Sequence, residues 1–150
     1  MKRMIAFFIA IGLLIGVKFA CQSNSLNYDF EKLIIVSSSE CLYDTDFVRN
    51  GNKYYYSFDK NQGEKALENI KSEEVEGLVY YFDLNYNLKN LKNKLDYCYK
   101  GGSASGIEIY YGYDKQYKDY RIVNRKKVNV QIVKNSTNII VGYPLILTSY

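Results

Sequence analysis

The sequence predicts an α+β domain: a mostly antiparallel sheet with two helices packed on one face, preceded by an N-terminal signal segment. Three observations predict it. Short apolar runs with two-residue alternation recur along the chain, bounded by Gly, Asn and Ser. Two intervening windows switch to helical spacing. A basic pair followed by an uncharged run opens the chain. The expected organisation is a signal peptide or membrane anchor over 1–20, a polar linker over 21–29, and a single α+β domain over 30–150.

The leader has Lys2 and Arg3 ahead of the uncharged stretch Met4–Val17. As a helix that stretch spans about 21 Å, short of the roughly 30 Å hydrocarbon core of a bilayer. It suits a signal peptide, or a short anchor if Phe19 and Ala20 join it while Lys18 snorkels outward. Ala20 fits a cleavage site, and Ala20-Cys21 resembles the end of a lipoprotein box, which makes Cys21 a candidate lipidation site. Lys18, three before the cysteine, departs from both patterns. Secretion, a retained anchor and lipidation all stay open, and each puts the domain outside the cytoplasm of a bacterium.

The body is globular in composition and nearly neutral. Hydrophobic residues make up 47% of the 150, which suits a packed domain rather than a disordered chain. Three of the 20 basic residues, Lys2, Arg3 and Lys18, belong to the leader region, so 17 remain against 16 acidic. A body at about +1 has no bulk charge with which to seek nucleic acid or anionic lipid. On this count nucleic acid is not expected as a partner, and membrane contact is expected only through the N-terminal segment. Tyrosine is abundant, at 17 residues.

The chain has no histidine, which excludes Ser-His-Asp triads, Cys-His pairs and histidine zinc sites. No cofactor or metal is expected. Cys41 and Cys98 are natural disulfide partners in an exported domain; closing that loop would stabilise by roughly 4 kcal/mol. Enzymes without histidine are chiefly glycosidases with paired carboxylates. The candidate pairs are Asp44 with Asp46, Glu73 with Glu74, and Asp114 with Asp119. Asp44 and Asp46 are expected on one exposed strand face, sharing no cleft with another acid.

The elements follow in order. Leu33–Val36 reads as a buried strand. Cys41–Arg49 and Lys53–Phe58 read as strands flanking Asn50-Gly51, the signal of a type I′ hairpin, with Tyr54, Tyr56 and Phe58 on one face. Gln62–Lys71 reads as a helix with Ala66, Leu67 and Ile70 inward. Val75–Phe82 is apolar on both faces and suits a central strand. Asn85 or Asn87 caps a second helix carrying Leu84, Leu88, Leu91 and Leu95, with Cys98 continuing its face and Gly101-Gly102 ending it. Residues 100–106 read as a flexible loop. Ile107–Tyr113, Lys127–Val133 and Ile139–Thr148 complete the sheet. In the first of these Ile107, Ile109, Tyr111 and Tyr113 face one way, and in the second Val128, Val130 and Ile132 do. The opposite faces, with Asn129 and Gln131, are expected to be wetter. Asn135-Ser136-Thr137 supplies a turn. Pro144 predicts that the last strand lies at a sheet edge or bulges there.

The terminal segment, Lys126-Lys127-Val128-Asn129-Val130-Gln131-Ile132 followed by Val141-Gly142-Tyr143-Pro144-Leu145-Ile146 and a final Tyr150, resembles the end of the YwmB-like exported proteins of Gram-positive bacteria. The resemblance covers about the last 40 residues. It implies a sheet-and-helix fold likened in shape to the TATA-box-binding protein. It implies no activity and no catalytic residue. The Cys41 hairpin has no counterpart in that family.

The expected function is an exported or envelope-associated, non-enzymatic binding or structural module for an envelope protein or a cell-wall polymer. The densest tyrosine patch, Tyr110, Tyr113, Tyr117 and Tyr120, is its expected binding surface, with Tyr117 and Tyr120 the more exposed pair. The alternatives are a histidine-free, carboxylate-dependent hydrolase of wall glycans and, more remotely, nucleic-acid binding through Arg121, Arg125, Lys126 and Lys127. A carboxylate-lined cleft would favour the hydrolase, and a flat exposed tyrosine patch the binder.

Overall fold

The computed structural model describes residues 29–40, 42–69, 75–144 and 146. Ten strands and two helices are formed among them: β1 Lys32–Ser37, β2 Phe47–Asn50, β3 Lys53–Asp59, α1 Lys60–Glu68, β4 Val75–Asp83, α2 Leu88–Asn93, β5 Tyr97–Ala104, β6 Ile107–Tyr113, β7 Arg121–Val123, β8 Lys126–Val128, β9 Val130–Lys134 and β10 Asn138–Tyr143. Eight strands make one sheet in the order β2-β3-β1-β4-β10-β9-β6-β5, and β7 pairs with β8 alone. Every pairing is antiparallel.

Alternation along the strands builds two apolar layers. Leu33 and Ile35 of β1, Leu78, Tyr80 and Phe82 of β4, and Ile139 and Val141 of β10 point to one face. There Ala66 of α1, with Leu91 of α2 and Leu95 just after it, closes the larger core. Ile34, Val36, Val79, Val133 and Ile140 form a second cluster on the opposite face, joined by Ile146. The expected fold class therefore holds, with both helices on one face, but neither face of the central strands is wet.

Asn129 and Gln131 correct the expectation of a wetter face most directly: they are 0% and 8% exposed. The Asn129 amide donates to Asp114 O (2.7 Å) and Tyr117 O (3.0 Å) and accepts from Asp114 N (2.8 Å). Its polarity is spent on the turn over 114–117 rather than on water. Asn129 also interrupts the run read as one strand, dividing it into β8 and β9.

Caps and turns account for most boundaries. The Asp59 carboxylate accepts from Gln62 N at 2.8 Å, starting α1 two residues earlier than expected. Asn87, one of the two cap candidates, accepts from Lys89 N and Asn90 N. Asn135 Oδ1 accepts from Thr137 N and Asn138 N in the expected β9–β10 turn. The β2–β3 turn is centred on Gly51-Asn52, one residue later than read. Only Gly51 is left-handed there (φ 64°), which is the II′ pattern rather than I′.

Three expectations fail. The second helix ends at Asn93, so Cys98 and Gly101-Gly102 lie in β5, and 100–106 is the arm and turn of the β5–β6 hairpin. A Cβ on Gly101 would fall 2.4 Å from the Tyr111 ring, so the ring covers that glycine across the strands. Pro144 does not mark an edge: β10 lies between β4 and β9, and the proline follows its last residue, Tyr143. A residue without an N–H fits where the ladder stops. The stretch expected as a strand from Cys41 is a loop over 42–46, and only β2 pairs.

Candidate functional site

The β1–β2 loop is held by two tyrosines. The Tyr56 hydroxyl, on β3, donates to Ser39 O (2.8 Å), lies against Glu40 O, and accepts from Leu42 N (3.3 Å). The Tyr43 hydroxyl donates to Ala66 O on α1 at 3.2 Å. Burial first, and the neighbouring Tyr56 second, push the Tyr43 phenol up to about 12, so it stays a donor at physiological pH. The Tyr43 ring meets Tyr56 and Phe58 edge-on, with centroids 5.4 and 5.1 Å away.

Pinned in this way, the loop forms an open pocket of about 650 Å³ lined by Glu40, Tyr43, Asp44, Thr45, Asp46 and Phe47. Tyr54 donates to the Glu40 carboxylate at 3.2 Å. None of the three acids forms an ion pair among the described residues. The pocket opens beside β2, an edge strand whose four residues are all exposed. Phe47 (37%) and Val48 (69%) bring apolar surface to that edge.

Asp44 and Asp46 are exposed as expected, but they sit in the loop rather than on a strand, and Glu40 shares their pocket. All three are exposed on this open pocket, and Tyr56 holds the backbone of the loop that carries them. Among the described residues no group of three acidic or sulfur side chains is placed to hold a metal ion. Glu73 and Glu74 lie outside the described residues. Asp114 and Asp119 are not a pair in kind: Asp114 is buried and accepts from Gln116 N at 2.9 Å, while Asp119 is exposed.

The expected tyrosine patch is not one surface. Tyr117 is only 9% exposed and packs on Tyr143 with ring centroids 4.6 Å apart. Its backbone carbonyl is held by Asn129, which turns the ring into the core. Tyr113 stacks on Tyr97, and Tyr111 lies against Tyr99. The β7–β8 hairpin sits over this ladder, because Tyr97 and Tyr99 donate to Lys127 O and Val123 O. Tyr110 belongs to the opposite face, its ring under Lys92 Nζ at 3.3 Å. Of the four expected patch residues, only Tyr120, at 45%, is exposed.

Cys21 and Cys41 lie outside the described residues, and so do the lipidation site and the expected bridge. Cys98 is half-buried on β5 against the larger core; burial pushes its thiol up while Lys92 pulls the other way. No described helix is long and apolar enough to cross a membrane. The β2 edge escaped the sequence reading because edge position is a property of sheet order. Its one readable signal was the Phe47-Val48 pair beside the hairpin turn.

Comparison with protein families, with curated proteins and with solved structures finds no match to this chain. The YwmB-like resemblance therefore rests on its own short motifs.

Proposed function

We propose that this domain is an exported or envelope-associated, non-enzymatic binding module that takes an extended, basic segment of a partner protein at the β2 edge. The observation that supports it is the juxtaposition there. An edge strand, paired with β3 on one side only and carrying exposed Phe47 and Val48, adjoins an open pocket lined by Glu40, Asp44 and Asp46, which form no ion pair among the described residues. An edge strand offers main-chain hydrogen bonds to an added strand, and side chains beside it set specificity. Acids at the pocket favour Lys or Arg on the incoming segment. Export rests on the leader, and a fusion of residues 1–25 to a reporter active only outside the cytoplasm tests it.

The binding test is capture from cell-envelope extract with three baits: the wild-type chain, Val48→Lys, and Glu40→Gln/Asp44→Asn/Asp46→Asn. A specific partner is retained by the first and lost from both variants. Retention by all three refutes the site. A second reading is favoured by the same pocket, since it gathers three carboxylates: hydrolysis of wall glycans. Release of reducing ends from purified cell wall by the wild-type chain, absent with the triple variant, would replace binding with catalysis.

A further inference from the structure

The cations singled out in the sequence at Arg121, Arg125, Lys126 and Lys127 are unused by the β2 site, which lies at the other end of the sheet order. They share one protruding element, the β7–β8 hairpin, paired to no other strand. The hairpin is fixed from below. Tyr97 and Tyr99 donate to its backbone, Lys126 Nζ sits 4.6 Å above the Tyr99 ring, and Val128 is buried. Asn124 and Arg125 form its tip, both left-handed (φ 50° and 64°).

Register sets what faces away. Ile122 pairs directly with Lys127, so the two share a face, and Tyr120, two residues before Ile122, extends it. Ile122 is 64% and Tyr120 45% exposed, and Lys127 Nζ lies 4.5 Å from the Tyr120 ring centre. None of the four cations forms an ion pair among the described residues. Arg121 and Lys126 lie on the opposite face, so an exposed aliphatic residue and an exposed tyrosine stand beside Lys127, with Arg125 at the tip, and together they match one kind of surface. The tyrosine and aliphatic enter the headgroup boundary, and the cations meet anionic headgroups.

We propose that the β7–β8 hairpin docks on an anionic phospholipid bilayer, with Ile122 and Tyr120 seated among the headgroups and Arg125 and Lys127 on their phosphates. It goes beyond the expectation that only the N-terminal segment meets membrane. Near-neutral net charge hid the patch because the balancing acids lie elsewhere, Glu40, Asp44 and Asp46 among them. The proposal is independent of the β2 reading.

The chain has no tryptophan, so Ile122→Trp in the full-length protein gives a single reporter on the hairpin that the leader cannot imitate. The emission is expected to shift to shorter wavelength, and acrylamide quenching to fall, with vesicles rich in phosphatidylglycerol but not with pure phosphatidylcholine. Val48→Trp, on the other edge, should respond to neither. Adding Arg125→Ser and Lys127→Ser to the hairpin reporter should weaken the response about 25-fold, at about fivefold per cation. No shift, or an equal shift on both vesicle types, overturns the proposal. A shift with soluble polyphosphate or an oligonucleotide but none with vesicles also overturns it, and assigns the hairpin to a soluble polyanion.

Discussion

Asn129→Ala should be the most damaging polar substitution in the second half of the chain. The side chain is fully buried, and its amide serves three backbone groups of the 114–117 turn at 2.7 to 3.0 Å. Truncation strands one buried N–H and takes a donor from two carbonyls. An orphaned buried donor costs about 1–3 kcal/mol, and carbonyls with a second lone pair cost less. The total comes to about 3 kcal/mol, or about 12 °C in Tm at about 4 °C per kcal/mol for a domain of this size. Urea unfolding followed by far-UV circular dichroism measures it, with an unchanged m-value showing that the same surface unfolds. Asn129→Asp supplies the control. It keeps the acceptor for Asp114 N but faces two carbonyls without a donor unless protonated. Burial raises such a carboxyl above its unfolded value, so stability present at pH 4 should be lost as pH rises towards 7. A loss under 0.5 kcal/mol for the alanine variant, or no pH dependence in the aspartate variant, would refute the account of Asn129 as the pin of this turn.

Burial, chiefly, holds the Asp114 carboxyl above its ordinary range, with Asp96 adding to the rise while the Gln116 N–H and Lys115 oppose it. A raised carboxyl stabilises the fold below its unfolded value and loses that contribution as pH rises through the folded one. Asp114→Asn should therefore raise Tm at pH 7 and leave it unchanged near pH 3 by scanning calorimetry; a lower Tm at pH 7 would contradict this. Gly112→Ala puts a methyl 2.4 Å from Leu95 Cδ1 and 3.3 Å from Tyr97 O. Displacing Leu95 in the packed core should cost about 1–3 kcal/mol in denaturant unfolding, and a neutral result would show a looser contact. For the proposed Cys41–Cys98 bridge, alkylation in denaturant without reductant, followed by peptide mapping, should leave both cysteines unmodified. Two alkylated thiols would remove the bridge. Denaturant is needed because burial raises the Cys98 thiol and slows its reaction in the folded state.

Sequence alone determined the class of fold and most of its strands, because their signals are local. Leu33–Val36 and Val75–Phe82 are apolar on both faces, and a strand of that kind must lie inside a sheet covered on each side. Asn87 and Asn135 announce a helix start and a turn through a side chain that bonds its own neighbouring backbone. What failed was set by partners distant in the chain. Leu91 and Leu95 suggested a helix running on to Cys98, but β6 is the better partner for residues 97–104, with Tyr111 covering Gly101. Pro144 argued for an edge, and the strand simply ended before it. Asn129 and Tyr117 read as surface residues until a tertiary hydrogen bond joined them in the interior. The candidate sites followed the same division. Residue types named the acids, the tyrosines and the basic cluster. Only the tertiary structure decided that the loop held by Tyr56 places Glu40, Asp44 and Asp46 on one pocket beside an open edge, and that a tyrosine ladder carries the hairpin bearing the cations. Sheet order and side-chain burial depend on which segments meet, and contacts between distant segments leave no periodicity in a single chain to be read.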